Sequence, residues 1–301
     1  MRFRGRGFDR TVATPHTPYT MLQGDDFFER VLQELEEGSV DFSWGCSQVE
    51  ISGRTVLASE REHNFDLVID ASFDPAVANS LLWQSFGGLW VETERDTFDP
   101  STAILMDLLP SDADSPVAFV YVLPLSAREA LVEHTTFSVR PMSVGFHRAG
   151  CEEWLAGHSN GGYLVTRCEH GAIPMGLRVS QGAHGPRLGS IAGAIRPATG
   201  YAFLNIQRQA QELAREIIQG GAEVRSPAAP FSNWYNIADG LFLKALARRP
   251  HQGSVLMGRL LERAPAAPLV RFLAGDAGLF EGLRVMSSVP KGPMVRALMG
   301  I

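Results

Sequence analysis

Apolar and polar positions alternate with a period of two over most of the stretch from Leu81 to Phe137, which predicts strands. The runs "GGLWVETE", "TAILMDLL", "VAFVYVLPL" and "EALVEHTTFS" are separated by short turns, as in an antiparallel sheet. A helix around "CEEWLAG" and two more strands, "GYLVTRCEHGAIP" and "PRLGSIAGAI", follow. Helical periodicity governs two other segments. In "GDDFFERVLQELEEG", Asp25 or Asp26 can cap, Phe28, Val31, Leu32 and Leu35 share a face, and Gly38 ends the helix. In "AFLNIQRQAQELAREIIQGG", Phe203, Ile206, Ala210, Leu213 and Ile217 form one stripe. Between the first helix and the sheet, "DFSWGCSQVEISGRTVLASE" reads as a hairpin turning at Ser52–Gly53, and "FDLVIDAS" as a buried strand. "EVRSPAAP" reads as a linker. From Asn233 the chain reads as apolar helices broken by Pro and Gly, ending with "PMVRALMG".

Composition narrows the partners. The 301 residues carry a net charge of −6, against a general nucleic-acid surface. Lys244 and Lys291 are the only lysines among the 27 basic residues; the arginine skew fits bidentate anion recognition or codon bias. Three cysteines without CxxC spacing suggest a reducing cytoplasm and no zinc site. With scattered histidines and no HExxH, metal chemistry has no support. No apolar run reaches the length of a membrane span. "MRFRGRGFDR" lacks the apolar core of a signal peptide.

Two features carry candidate chemistry. In "GSIAGAIRPATGYAF", Gly189, Ala192 and Gly193 permit close approach of a ligand to the backbone. Pro197 fixes φ, and Gly200 supplies a turn before a helix whose N-terminus could face an anion or a flavin carbonyl. A tight strand-to-helix corner explains the same residues. In "ALVEHTTFS", alternation puts Leu131, Glu133, Thr135 and Phe137 on one face. A carboxyl on an apolar face has its pKa raised and can hold and donate a proton; a solvated edge-strand glutamate is the alternative reading. His134 points to the other face, in a structural position.

The spacing of Gly189, Pro197 and Gly200 resembles the second flavin motif of hydroxylase-type FAD proteins, with Ser190 where that motif has Asp. "WQSFGGLWVETERDTFDPSTAILMDLL", "FVYVLPLSAREALVEHTTFS", "GAIPM" and "GSIAGAIRPATGYAFLNIQ" together resemble, in order and spacing, the FAD-dependent lycopene cyclases from about Arg61 to Arg208. The helical remainder, including "RFLAGDAGLFEGLRVMSSVPKGPMVRALM", fits the same family.

The resemblance implies an α/β fold of the two-domain FAD-dependent hydroxylase type. A partial FAD-binding domain would span 1–72 and 186–220, an antiparallel-sheet substrate domain 73–185, and a helical C-terminal region 221–301. It implies β-cyclisation of the ends of lycopene without net redox change, with Glu133 as catalytic acid and FAD in its reduced form, NAD(P)H being the reductant. Gly189, Gly193, Arg196, Pro197, Thr199, Gly200 and Tyr201 would line the isoalloxazine and ribityl end. Trp83, Phe86, Trp90, Phe119 and Tyr121 would line a polyene channel through cation–π contacts, or form core. The lipid-soluble substrate implies a cytoplasmic protein peripherally associated with a membrane, its helices after Asn233 lying at the bilayer or packing on the flavin domain. The family's GxGxxG has no counterpart in this sequence, "GRGFDR" coming nearest with no strand predicted before it. The expectation is therefore a chain beginning after the first βαβ unit, its Gly-rich part encoded upstream or supplied by a second polypeptide. A non-catalytic carotenoid-binding remnant or partner subunit, and a flavin hydroxylase, are the alternatives.

Overall fold

The computed structural model describes residues 1–13, 19–38, 40–46, 48–73, 79–110, 116–159, 161–177, 185–220 and 224–292. Ten strands lie among them: β1 (Arg2–Gly5), β2 (Phe8–Thr11), β3 (Glu50–Ser52), β4 (Thr55–Ala58), β5 (Arg61–Asn64), β6 (Leu82–Thr93), β7 (Ile104–Leu108), β8 (Val117–Pro124), β9 (Glu129–Ser138) and β10 (Tyr163–Met175). The helices are α1 (Gly24–Glu36), α2 (Val144–His158), α3 (Phe203–Gly220), α4 (Asn233–Arg248), α5 (Pro250–Arg263), α6 (Ala266–Ala274) and α7 (Leu279–Met286). Seven strands form one sheet in the order β10-β6-β9-β8-β7-β1-β2, and β3-β4-β5 form a second. Neighbours in the large sheet run antiparallel except β1 and β7, which are parallel. The predicted antiparallel sheet is present, and so is the hairpin at Ser52–Gly53, where Ser52 pairs with Thr55 and Gly53 has φ 61°.

Strand alternation sorts the sheet into two faces. Leu89, Val91, Val120, Val122, Ala130 and Val132 point to one side, where α2 covers them with Cys151, Trp154 and Leu155. Ser143 starts α2, its hydroxyl accepting from the Phe146 amide at 3.2 Å. The helix predicted around Cys151–Gly157 is thereby longer than the apolar pattern alone indicates. On the opposite face Leu82, Val117, Phe119 and Phe137 pack with Leu243, Leu246, Leu256, Leu261 and Leu269 of the C-terminal helices. Each fully buried leucine there contributes roughly 1.5–3 kcal/mol relative to exposure. That burial binds α4–α6 to the sheet. Ile237, Val255, Leu279, Phe280 and Leu283 remain on the surface. Among the described residues, no helix is long and apolar enough to cross a membrane. The expected helix at "PMVRALMG" lies outside the described residues.

Several local expectations are corrected. A strand does precede "GRGFDR": β1 leads through Gly7, at φ 83°, into β2, so the segment forms a hairpin on the large sheet instead of a strand-to-helix turn. Three of the four arginines in Met1–Arg10 are engaged within the fold, Arg2 with Asp9, Arg4 with Asp107, and Arg10 with the Leu261 and Ala264 carbonyls at the end of α5. "FDLVIDAS" forms no extended strand. Asp70 makes an isolated parallel bridge to Arg187, while Phe65 and Ile69 are exposed. "PRLGSIAGAI" ends in a 3-10 turn at Gly189–Ala192, because Gly189 and Gly193 take positive φ and break the extended path. In α1, Asp25 and Asp26 sit in the first turn instead of capping, and Phe28 is exposed, so the predicted apolar face is not buried.

Candidate functional site

Glu133 lies at the middle of β9, between two sheet neighbours. Its register partner on β6 is Gly88 and on β8 Tyr121. Because opposite residues share a face, Glu133 stands with Gln84, Phe86, Tyr121 and Leu131 on the side away from α2. That face borders a cavity of about 200 Å³ also lined by Tyr19 and Tyr201. The Glu133 carboxylate accepts from the Thr135 hydroxyl at 2.7 Å. Burial pushes its pKa up to about 7; the Thr135 bond opposes this and the charge of Glu169 adds to it. Burial also raises the hydroxyls of Tyr121 and Tyr201, the former donating to the latter, so both keep their protons at neutral pH. The chemical content is a protonatable acid in a cavity lined by aromatic side chains.

The segment Gly189–Tyr201 closes this cavity at one end. Gly189, Gly193 and Gly200 have φ of 77°, 78° and 71°, and α3 holds the loop through amide side chains. Gln209 accepts from the Gly189 amide at 3.1 Å and donates to the Ala192 carbonyl at 3.0 Å; Asn205 donates to the Ala194 carbonyl at 2.9 Å. The buried face of α3 is accordingly Asn205, Gln209 and Leu213; Phe203 of the predicted stripe is exposed. Thr199, Gly200 and Tyr201 line the Glu133 cavity; Gly189, Gly193 and Pro197 do not. Above Gly189 the space is open, with nothing within 4 Å of where a Cβ would stand. Gln84, only 6% exposed, presents an Oε1 with no hydrogen-bond partner to the same cavity. A Cβ on Gly200 would come within 2.6 Å of that oxygen. Gly200→Ala is therefore expected to displace Gln84 and to cost about 1–2 kcal/mol from the left-handed backbone alone. Urea denaturation would read the loss.

Against this geometry, the family model described as "Lycopene cyclase protein" matches residues 4–299. The chain belongs to the lycopene cyclase family. No curated protein sequence gives a significant match. Among solved structures, a geranylgeranyl bacteriochlorophyll reductase-like protein from Thermoplasma acidophilum is similar at 12% identity and TM-score 0.56, over 100% of this chain and 82% of that one. The flavin-dependent monooxygenase PieE, solved with FAD and substrate, gives 15% identity and TM-score 0.46 over 93% of this chain and 52% of its own. OxyS anhydrotetracycline hydroxylase from Streptomyces rimosus gives 13% and 0.43 over 89% and 54%. The fold of this lycopene cyclase family member is thus the mixed α/β fold of the reductase-like protein.

One of the residues expected at the flavin, Arg196, has protein partners of its own. The Arg196 side chain is buried against the helical layer, paired with Asp239 at 3.0 Å and donating to the Phe272 and Leu273 carbonyls. Its guanidinium lies 4.3 Å from the centre of the Tyr235 ring and 4.6 Å from that of Phe272. It braces the loop from behind. Of the predicted channel aromatics, Phe86 and Tyr121 line the cavity, and Phe119 belongs to the core. Trp90 donates to Glu169 at 3.0 Å, and Trp83 alternates to the α2 side. Gln84, Tyr19, Asp239 and Glu169 were not singled out by the sequence, and none of them carries a local signal: Gln84 is followed by Ser85, and Glu169 stands between Cys168 and His170.

Directly behind Glu133, His134 faces α2. Its Nδ1 is 3.1 Å from Nδ1 of His147, whose Nε2 is 3.1 Å from the Ser85 hydroxyl. Burial, and then the neighbouring His147, lower His134 to about 4. Between pH 6.5 and 4 the unfolded chain binds a proton that the folded chain refuses, so acidification across that window is expected to cost up to about 3 kcal/mol. Glu133 gives the opposite slope. The measurement is therefore urea unfolding against pH in a Glu133→Gln background, where a flat profile would refute the neutral pair.

Proposed function

We propose that this protein is a lycopene β-cyclase, closing the ends of the C40 polyene to β-ionone rings by acid catalysis without net redox change. The observation that carries this reading is Glu133, a carboxyl with its pKa pushed up to about 7 in an aromatic cavity. An acid of that strength retains a proton near neutrality and can deliver it to a terminal carbon–carbon double bond. The positive charge then created on the chain meets the faces of Phe86, Tyr19, Tyr121 and Tyr201, which favour a cation. Ring closure follows, and loss of a proton from the adjacent carbon restores the double bond. A bound polyene would displace water from this cavity and so protect the cation.

The residues fit the ring end of a flavin on two observations: the open space over Gly189, and the unpartnered Gln84 oxygen beside Gly200. Gly189, Gly193, Thr199, Gly200 and Tyr201 would hold it, with Pro197 fixing the turn. Reduced FAD, with NAD(P)H as reductant, would supply an electron-rich ring that stabilises nearby positive charge. The exposed Ile237, Leu279, Phe280 and Leu283 support peripheral contact with the membrane that holds the substrate. Pigment analysis of lycopene-accumulating cells expressing the protein tests the reading. Cyclised carotenoid supports it, and unchanged lycopene with folded protein present refutes it. Oxygen insertion coupled to NAD(P)H oxidation would establish a flavin hydroxylase instead.

A further inference from the structure

The C-terminal helices carry an excess of cations on an otherwise acidic chain. Residues 233–292 hold eight Lys/Arg and four Asp/Glu, a net +4 where the whole chain is −6, so the remainder stands at −10. All four carboxylates are ion-paired: Asp239 with Arg196, Glu262 with Arg259, Asp276 with Arg208 and Glu281 with Arg271. The exposed Lys244, Arg284 and Lys291 stand in excess of these pairs. Two helices combine such cations with exposed apolar side chains. On α4 the spacing of Ile237, Lys244 and Arg248 puts them on one stripe, opposite the buried Tyr235, Asp239, Leu243 and Leu246. On α7, Phe280, Leu283 and Arg284 share the face turned away from the buried Gly282 and Val285. Phe280 is 86% exposed and Ile237 68%, so neither serves the core. The two helices meet where the Trp234 ring occupies the place that a Cβ on Gly282 would take.

We propose that the outer faces of α4 and α7 dock the protein on a lipid bilayer that carries anionic headgroups. Ile237, Phe280 and Leu283 enter the apolar boundary, and Lys244, Arg248 and Arg284 lie at the phosphates. Contact with a membrane as such belongs to the cyclase reading; the preference for negative charge, and the face that delivers it, rest on that reading and extend it. Apolar side chains flanked by cations are what an interfacial helix presents to lipid. Each Lys or Arg near an anionic surface strengthens attachment about fivefold. The acidic remainder of the chain is repelled by the same surface, so the charge distribution turns the helical layer toward the lipid.

That orientation suits a substrate dissolved in the bilayer. The inner sides of the same helices, through Phe242 of α4 and Met286 of α7, line a mostly apolar cavity. Tyr121, Thr199 and Tyr201 border both this cavity and the one that holds Glu133. Lipid against the outer faces would lie one helix layer away from it. A second copy of the chain seated on the same face would set cation against cation, which disfavours that occupant.

Cosedimentation of the full chain with vesicles of phosphatidylcholine, alone or mixed with phosphatidylglycerol, reads the docking without any turnover. Stronger binding to the mixed vesicles is expected, and added salt should weaken it. Lys244→Gln combined with Arg284→Gln should lower that binding roughly 25-fold and leave binding to phosphatidylcholine unchanged. Phe280→Asp should lower both by at least about tenfold. All three positions are exposed, and urea midpoints equal to that of wild type would show the fold retained. Equal binding to the two kinds of vesicle, or an undiminished preference in the double variant, would overturn the proposal and leave simple membrane contact standing. No binding to either by folded protein would overturn both. Self-association abolished by Phe280→Asp, without vesicle binding, would give the face to a second copy instead. Anionic binding without cyclisation of lycopene would uphold this surface and overturn the cyclase reading.

Discussion

Replacing Glu133 by Gln is expected to abolish ring formation while leaving the fold intact. The amide matches the carboxyl in size and can accept from Thr135 as the carboxylate does at 2.7 Å, but it carries no acidic proton. A positioned general acid contributes about 10²–10⁴-fold, so cyclised product in lycopene-accumulating cells should fall at least about a hundredfold. The pH dependence has a definite sign. Glu133 works as the acid, and its pKa is pushed up to about 7, so activity should be full below that value and decline as pH rises through it. Folding stability changes in the same direction. Between about pH 4.5 and 7 the folded protein keeps a proton that the unfolded chain has released, so stability falls as pH rises across that interval. Glu133→Gln removes this slope and should be more stable than wild type at pH 8. Loss of product together with lost stability would mean that Glu133 is structural; loss of product with gained stability is the signature of a buried acid.

How far the sequence discloses this site depends on the range of the interactions. The face shared by Leu131, Glu133, Thr135 and Phe137 was legible because strand alternation is a local rule, and the register confirms it through Gly88 and Tyr121. The antiparallel sheet and the C-terminal helices were legible for the same reason. The Gly189–Tyr201 segment was legible as a special backbone, although positive φ at Gly189 and Gly193 makes it a turn where a strand was expected. What could not be read was pairing across long separations. Asp239 meets Arg196 from 43 residues away, and Glu169 meets Trp90 from 79. Neither has a signature within its own strand or helix. The helix face of α3 failed differently: an apolar stripe was the natural expectation, but the loop's backbone polar groups demand partners, and Asn205 and Gln209 supply them.

Breaking the Arg196–Asp239 pair is expected to produce the largest loss of stability of any single polar substitution argued above. Both side chains are about 2% exposed, so removing one partner strands a charge without water. Such losses run to about 3–5 kcal/mol. Asp239→Asn leaves the guanidinium between the Tyr235 and Phe272 rings with carbonyls alone to answer its charge. Arg196→Met leaves the carboxylate with the Ala198 amide, 3.3 Å away, as a remaining donor. Arg196→Lys is not conservative here, since one ammonium cannot match the two-nitrogen grip on Asp239 at 3.0 and 3.2 Å. Replacing both partners, as in Arg196→Met with Asp239→Leu, should recover most of the loss, because an apolar pair carries no desolvated charge. Urea midpoints of the two single variants and the double variant form the cycle that decides the matter. If Arg196 instead contacted a flavin directly, Arg196→Met would weaken FAD binding while Asp239→Asn spared it. The geometry predicts that both weaken it alike, because the Asp239 carboxylate holds the Ala198 amide and, through it, the approach of Thr199, Gly200 and Tyr201 to the Glu133 cavity.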